Sequence, residues 1–306
     1  MNMTDPTHFV TTALRGTLHH DVDMRRHTSW RAGGRAQHVY QPADVADLLH
    51  FLRALPADEP LLAVGLGSNL LVRDGGLRGT VLLLHGALSA LRLEENGSVY
   101  CEAGVPGAKL ARFAALHNLQ GAEFFAGIPG TLGGMLAMNA GCYGSETWDR
   151  VTRVQVVTRK GELLERETDE YEIGYRHVLK RETHPDEFFV GAWLSFAQGD
   201  GDIARSEIKA LLAKRIASQP LHLPNAGSVF RNPAGDHAAR LIEKCGLKGR
   251  QIGGARVSEQ HANFIVNVGA ATATDIEDLI KEVQATVTKK SSINLQCEVR
   301  IVGEAA

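Results

Sequence analysis

Between Asn225 and Pro233 the chain reads Asn-Ala-Gly-Ser-Val-Phe-Arg-Asn-Pro, which packs a hydroxyl, two amides and a guanidinium into nine residues. Taken alone, Ser228 reads as a turn or capping residue. Arg176, after Gly174-Tyr175, offers a fixed positive charge, and Glu298 in Cys297-Glu298-Val299-Arg300 offers a carboxylate. Glu298 by itself reads as a solvated strand residue paired with Arg300. Glycine offers a second kind of chemistry. From Phe124 to Ser145 no charged side chain occurs in 22 residues, while six glycines and Pro129 do. A continuous helix through that stretch would be expensive. Gly130, Gly133 and Gly134 leave backbone N–H groups open, and Asn139 adds an amide. Such turns let main-chain donors converge on an anion such as a diphosphate. The competing reading is a buried glycine-rich turn that binds nothing.

A second glycine turn lies about 60 residues earlier, at Gly65-Leu66-Gly67-Ser68-Asn69-Leu70. It is not a Rossmann fingerprint, because Leu70 stands where a glycine is required and the residues after it read as a strand. Ser68 and Asn69 add side-chain donors to the glycine N–H groups. Two such turns together suit a long cofactor with a diphosphate in the middle. The chain has no GxxxxGK[ST], GxSxG or HExxH motif, which weakens kinase, serine-hydrolase and zinc-protease readings. Cys101, Cys142, Cys245 and Cys297 lack metal-ligand spacing and read as small buried hydrophobes of a reducing compartment. Residues 1–27, with His8, His19, His20 and His27, lack metal-ligand periodicity, so no metal is expected.

The elements that must position these residues follow from pattern. A strand is predicted over Ala36–Gln41, and a helix after Pro42 and Asp44 that buries Val45, Leu48, Leu49, Leu52 and Leu55. Strands follow at Leu61–Val64 and Thr80–Leu84, then a hairpin of Leu91–Glu94 and Ser98–Glu102 across Asn96-Gly97. Pro106 starts a helix that Gly121 stops. Val151–Thr158 and Glu162–Thr168 alternate as strands. After Gly199-Asp200-Gly201 the texture changes. A helix carries Ile203, Ile208, Leu211, Leu212 and Ile216. Helices near 237–245 and 274–287 then alternate with strands near 228–231, 263–268 and 295–302. A boundary near residue 200 is expected, between a strand-rich α+β part and a smaller α/β part.

The chain has 306 residues, 44% hydrophobic and 22% charged, with a net charge of −2. These are ordinary globular values, and the charge argues for neither nucleic acid nor an anionic membrane surface. The segment MNMTDPTHFV lacks a basic stretch followed by an apolar run, so no leader is expected. A soluble cytoplasmic protein is the expectation.

Several blocks carry a resemblance across the chain from His27 to Gly303: HTSWRAGG, VGLGSNLLVRDGGLRG, AGIPGTLGGMLAMNAGCYG, GYR, NAGSVFRNP, LIEKCGLKGRQIGGARVSEQHANFIVN and EVR. Together they resemble the UDP-N-acetylenolpyruvoylglucosamine reductase (UDP-N-acetylmuramate dehydrogenase) family of peptidoglycan precursor synthesis. The first three blocks also mark the wider vanillyl-alcohol-oxidase-like flavin domain. The resemblance implies an α+β protein with a vanillyl-alcohol-oxidase-like (PCMH-type) FAD-binding domain over 1–200. That domain would have two subdomains meeting near residue 86, with a substrate-binding α/β domain following over 201–306. It implies non-covalent FAD on Trp30, Gly33, Gly65, Gly67, Ser68, Asn69, Gly127, Ile128, Pro129, Gly130, Thr131, Gly133, Gly134 and Asn139. NADPH would be the hydride donor and UDP-N-acetylglucosamine enolpyruvate the acceptor, in a monomer. Arg176 would hold the substrate carboxylate, Glu298 would assist there, and Ser228 would be the proton donor. Ser228 and Glu298 can exchange roles without altering the motifs. Tyr175, Arg215, Asn232 and Lys248 are the expected contacts to the UDP-sugar. His177-Val178 departs from the family, which often has serine shortly after the Tyr-Arg pair. Arg231 stands where lysine is common, and the short spacing from Arg176 to Ser228 resembles the class without an extra tyrosine loop.

Two other readings compete. A flavin oxidase or dehydrogenase of the same cofactor fold would take hydride from an alcohol or sugar and leave Ser228 and Glu298 without a role. A non-catalytic nucleotide-sugar or flavin sensor would tolerate the loss of both.

Overall fold

The capping and alternation signals can be compared with the computed structural model, which describes residues 14–181 and 187–306. The leader expectation at MNMTDPTHFV and the reading of His8 fall outside those residues. Among the described residues, the first of two compact units contains residues 14–19, His38–Gly65 and Gly79–Ser206. The second contains His20–Gln37, Leu66–Arg78 and Glu207–Ala306. Grouping by compactness is thus discontinuous: residues 20–37 and 66–78 go with the C-terminal hundred, where the sequence pattern suggested one cut near residue 200.

A four-stranded sheet runs in the order Thr17–Asp23, Arg35–Gln41, Leu77–Leu83, Leu61–Val64, the last two parallel. Asp44 caps helix α1 (Val45–Ala54) by accepting from the Asp47 N–H. The apolar face of α1 packs Leu48, Phe51 and Leu52 against Tyr40, Leu82, Val157 and Val190, and Tyr40 stacks on Phe51 with centroids 3.7 Å apart. A five-stranded antiparallel sheet follows in the order Leu163–Glu167, Val151–Thr158, Glu187–Leu194, Val99–Glu102, Leu91–Leu93. Helix α2 (Gly107–Leu116) begins after Pro106, as predicted. The glycine-rich stretch is not all loop. A short 3₁₀ turn at Glu123–Gly127 leads to helix α3 (Leu132–Met138), which passes straight through Gly133-Gly134. Two glycines cost a helix roughly 1 kcal/mol each, but a Cβ on Gly133 would stand 3.0 Å from that of Ala103. Close packing therefore overrides helix propensity there. The strands Tyr171–Gly174 and His177–Lys180 form a separate hairpin.

Helix α4 (Gly201–Ser218) leads from the first unit into the second. Its expected apolar face is only partly met. Ile208 is buried and Leu211 and Leu212 half-buried, but Ile203 and Ile216 are exposed. At about 100° per residue the last two fall well to either side of the other three.

The second unit is built on α6 (Ala273–Ser291). A capping box of Thr272 and Asp275 opens it, and the Asp74 carboxylate accepts from the N–H groups of Ala273 and Thr274. Ile276, Leu279, Ile280, Val283 and Val287 form one buried face, each contributing about 1.5–3 kcal/mol. They pack with Trp30, Leu71, Val229, Phe230 and residues of helix α5 (Ala238–Lys244). An antiparallel sheet of Gln251–Ile252, Ala255–Val257 and Ile265–Asn267 completes the unit, with a parallel pair of Leu70–Val72 and Arg300–Val302. The strand expected near 228–231 is only a single bridge, Phe230 opposite Cys297. The reason is a side chain: Asn263 Oδ1 accepts from the Phe230 N–H (3.0 Å) and its Nδ2 donates to the Phe230 C=O (2.8 Å). That amide replaces a neighbouring strand. Among the described residues no helix is long and apolar enough to cross a membrane.

Asp47 is fully buried and gathers the first unit's edge. It accepts from the N–H groups of Arg15, Gly16 and Ala43 and from the Tyr40 hydroxyl. Burial alone would raise its pKa, but the Tyr40 hydroxyl and the three N–H groups outweigh it and hold the carboxyl below its usual range. A depressed folded-state pKa means stability that is present above the unfolded value and lost as pH falls through the folded one. Asp47→Asn should therefore cost about 1–3 kcal/mol at pH 7, in a gap that narrows below about pH 4. Urea titrations of both proteins across that range check this; a gap independent of pH would show that the charge is not what matters.

Candidate functional site

In the first unit the segment 130–133 is stitched to the segment 103–107. Leu132 N–H donates to Val105 C=O (2.9 Å), Gly133 N–H to Ala103 C=O (2.9 Å), and Gly107 N–H to Gly130 C=O (3.0 Å). Gly133 is therefore a correction: its N–H, expected to be open, is taken. The N–H groups of Gly130, Thr131 and Gly134 find no acceptor among the described residues. Pro129 and Gly134 are exposed, and a Cβ on Gly134 would point into open space. Gly65 lies against Thr131, so closely that a Cβ on it would be 2.2 Å from the Thr131 Oγ1. Gly127 carries the ring of Tyr143 and the Cys142 sulfur over its backbone, and Ile128 beside it is half-buried. The N–H groups of Gly65, Leu66, Gly67 and Ser68 also donate to no described residue. Gly67 is left-handed (φ 62°), and its C=O accepts from the Ser29 N–H (3.2 Å). Bare turns with open main-chain donors fit the phosphates of a dinucleotide cofactor.

Arg176 sits in the two-residue turn of the hairpin, closed by Gly174 opposite His177. Its φ is 59°, a conformation a side chain adopts only when its surroundings demand it. The guanidinium donates to the carbonyls of Asn139 (3.3 Å) and Gly141 (2.9 Å), stands 3.9 Å from the Glu146 carboxylate, and lies over the exposed Tyr175 ring. Asn139 departs from expectation. It is buried in the left-handed cap of α3, and its side chain serves the protein, donating to Glu146 Oε2 (2.7 Å) and the Gly174 C=O (3.3 Å) and accepting from the Trp148 N–H (3.1 Å).

In the second unit the structure brings together Ser228, Glu298 and Asn69. Glu298 N–H donates to the Val229 C=O (2.7 Å), next to Ser228. Asn69 Nδ2 donates to the Glu298 C=O (3.1 Å), and Arg300 N–H returns a bond to the Asn69 C=O (3.0 Å). The Ser228 and Glu298 side chains are half-buried, and the Ser228 hydroxyl bonds to no described residue. Its turn is set by Gly227 (φ 73°), whose N–H bonds the Asn225 side chain. A hydroxyl left open on a fixed turn is available to a ligand.

Other expected contacts are placed differently. Trp30 is fully buried, and its indole N–H is spent on the Ile265 C=O (2.7 Å), so it anchors the core. Gly33 (φ 125°) is required by packing, since a Cβ would strike the Val72 C=O. Asn232 accepts from the Ala238 N–H at the start of α5, which makes it a cap. Arg215 Nε bonds the Gln219 side chain, and Lys248 pairs with Glu243 on the surface. All four cysteines are free thiols. Burial raises the pKa of Cys101 far above its usual value, and Cys297 to about 11, which suits inert packing residues. Asn263 and Glu146 went unnoticed as individual residues. Asn263 lies inside a block singled out above, whereas nothing marked Glu146.

Comparison with known proteins gives two family matches along the chain. Residues 36–166 match the family model described as an FAD binding domain, and residues 219–302 match the UDP-N-acetylenolpyruvoylglucosamine reductase C-terminal domain. The chain is 56% identical to the UDP-N-acetylenolpyruvoylglucosamine reductase of Thiobacillus denitrificans, covering 95% of this chain and 94% of that one. It is 57% identical to that of Nitrosomonas eutropha, covering 95% and 90%. Among solved structures, the crystal structure of the reductase from Thermus caldophilus matches with a TM-score of 0.78 at 28% identity, over 94% of this chain and 99% of that chain. The 6-hydroxy-D-nicotine oxidase of Arthrobacter nicotinovorans matches with a TM-score of 0.54 at 15% identity, over 94% and 90%, a likeness of fold that fits a vanillyl-alcohol-oxidase-like architecture. On identity and coverage together, the chain belongs to the UDP-N-acetylenolpyruvoylglucosamine reductase family.

Proposed function

We propose that this protein is an FAD-dependent oxidoreductase that reduces UDP-N-acetylglucosamine enolpyruvate to UDP-N-acetylmuramate, with NADPH as the hydride donor. That reaction belongs to peptidoglycan precursor synthesis, and hence to cell-wall biogenesis, cell shape and division. We assign it to a monomer in the cytoplasm. The observation that carries the reading is the family relationship over nearly the whole chain, joined to a Ser228 hydroxyl left open on a fixed turn beside Glu298.

The residues fit the cofactor. The open N–H groups of Gly130, Thr131 and Gly134, and those of Gly65, Leu66, Gly67 and Ser68, are suited to its diphosphate. Gly127, Ile128 and Pro129 would shape the same turn. Bound FAD supplies a two-electron relay between NADPH and the enolpyruvyl group. The chain's own task is to stabilise the negative charge that develops beside the substrate carboxylate, which is costly unless opposing charge is already in place. Arg176 would pair with that carboxylate, and Glu298 would assist. Ser228 would deliver the proton to the adjacent carbon, a task a hydroxyl can perform only toward a strong base in a dry site. Residues 1–200 would hold the flavin and residues 201–306 the UDP-sugar. Tyr175, Arg215 and Lys248 are assigned to the sugar nucleotide, Arg215 and Lys248 through charges that exchange a protein partner for phosphate. Asn232 is assigned to the same ligand, while its side-chain oxygen accepts from the Ala238 N–H.

Two outcomes test this reading. Anaerobic NADPH should bleach the visible flavin bands of the purified protein, and the enolpyruvyl sugar should restore them. Bleaching without recovery would keep the flavin and overturn the substrate. Ser228→Ala and Glu298→Gln should each lower kcat by at least about 10²-fold with FAD content unchanged. Near-parental turnover in both variants would remove these residues from the chemistry.

A further inference from the structure

Asn139 joins two pieces of the first unit that the proposed chemistry uses separately. It ends α3, the helix that follows the glycine turn, in a left-handed conformation (φ 42°, ψ 53°). From there its side chain reaches the tip of the hairpin, donating to the Gly174 C=O at 3.3 Å, immediately before Tyr175-Arg176. Its own C=O accepts from the Arg176 guanidinium at 3.3 Å, beside a second bond to the Gly141 C=O at 2.9 Å. The same amide fixes Glu146, whose second carboxylate oxygen stands 3.9 Å from the guanidinium. Trp148 N–H holds the amide oxygen, so the direction of the donor end is determined. Both donor bonds of a buried amide are thus spent on the turn that carries Arg176 and on the counter-charge beside it, and its oxygen on Trp148.

We infer that Asn139 is a positioning residue for Arg176 rather than a contact to the cofactor: it ties the hairpin tip to the end of α3 and so determines where the guanidinium stands. Two features of the chain follow. The left-handed turn at Arg176 is strained for a residue with a side chain, and the bonds to Asn139 and Gly141 hold it there. The stretch that carries the open N–H groups also carries the support for the arginine, so cofactor and substrate carboxylate would be registered by one continuous segment. The inference rests on the reading of Arg176 as the group that binds the substrate carboxylate.

The test uses the oxidised holoprotein, which binds the enolpyruvyl sugar without turnover. Asn139→Gly keeps the left-handed backbone and removes only the amide. FAD content should be unchanged. Affinity for the enolpyruvyl sugar, measured by calorimetry, should fall about tenfold, on the scale of removing one charge-assisted hydrogen bond. UDP-N-acetylglucosamine, which lacks the carboxylate, should bind every variant alike. Arg176→Ala should weaken binding of the enolpyruvyl sugar at least as much, and the double variant should be no weaker than Arg176→Ala alone. Loss of FAD from Asn139→Gly would overturn the inference in favour of a cofactor contact, and additive losses would overturn it in favour of independent roles. If Arg176→Ala binds the enolpyruvyl sugar normally, the underlying reading of Arg176 fails instead. Should Asn139→Gly not fold, Glu146→Gln serves the same cycle. It keeps the acceptor for the amide and removes the charge near the guanidinium. A two- to five-fold change in affinity, on the order expected for a partly exposed charge, should vanish in the Arg176→Ala background. Persistence of the change there would overturn the inference.

Discussion

Backbone N–H groups that can hold a diphosphate must be left unpaired by the protein itself, and the rest of the first unit is arranged around that cost. Without partners of their own, such groups stay aligned only where the chain on either side is fixed by other bonds. It is. Leu132 and Gly133 spend their N–H groups on Val105 and Ala103, and Gly130 gives its carbonyl to Gly107. The donors of Gly130, Thr131 and Gly134 remain, each next to one of those bonds. Glycine at 65 and 127 then serves a second purpose, because Thr131 and Tyr143 occupy the space a Cβ would need. The turn is bare because its neighbours have come in close.

Side-chain amides do in this protein what strand partners do elsewhere. Asn263 gives Phe230 both a donor and an acceptor, Asn69 takes the Glu298 carbonyl, and Asn139 takes that of Gly174. Asn267 reaches the Trp30 carbonyl while its oxygen accepts from Gly269 and Ala271. One amide can satisfy a backbone N–H and a backbone C=O together, so the chain can leave a ladder without orphaning either. Ser228 depends on this. In a regular strand at 228–231 its orientation would follow the pleat, whereas a bridge one residue pair long leaves the turn at Gly227 to aim the hydroxyl.

These amides also mark the limit of what sequence could reveal. Regular elements were legible because their signals are local: Asp44 and Pro106 start helices where expected, and the hairpin at Asn96-Gly97 forms where expected. The blocks that carry the site were legible as blocks. What was not legible is which members of a block face a ligand and which support the members that do. Trp30 and Asn139 lie in flavin-type motifs, yet one is a core anchor and the other a brace. A motif preserves both roles, and only burial and bonding direction separate them. Gly133 failed for a related reason, since its N–H goes to a residue thirty positions away. The apolar face of α4 failed on angle alone, because Ile203 and Ile216 lie too far around the helix to be covered with Ile208.

The likeness to an oxidase at 15% identity is one of fold alone, and a fold does not by itself set a reaction. A flavin turn is indifferent to whether electrons come from the second substrate or go to it. What makes reduction of an enolpyruvyl ether feasible is a place for the negative charge and a proton to finish the step. In the proposed reaction those tasks fall to Arg176 and Ser228. Arg176 is held by the carbonyls of Asn139 and Gly141, Ser228 by the Gly227 turn and the register of Val229 with Glu298. Chemistry of this kind is therefore added to the fold through its supports. On the proposed reading, a chain that kept the bare turns but lost those supports would still take up FAD, and would fail to protonate the carbon next to the carboxylate.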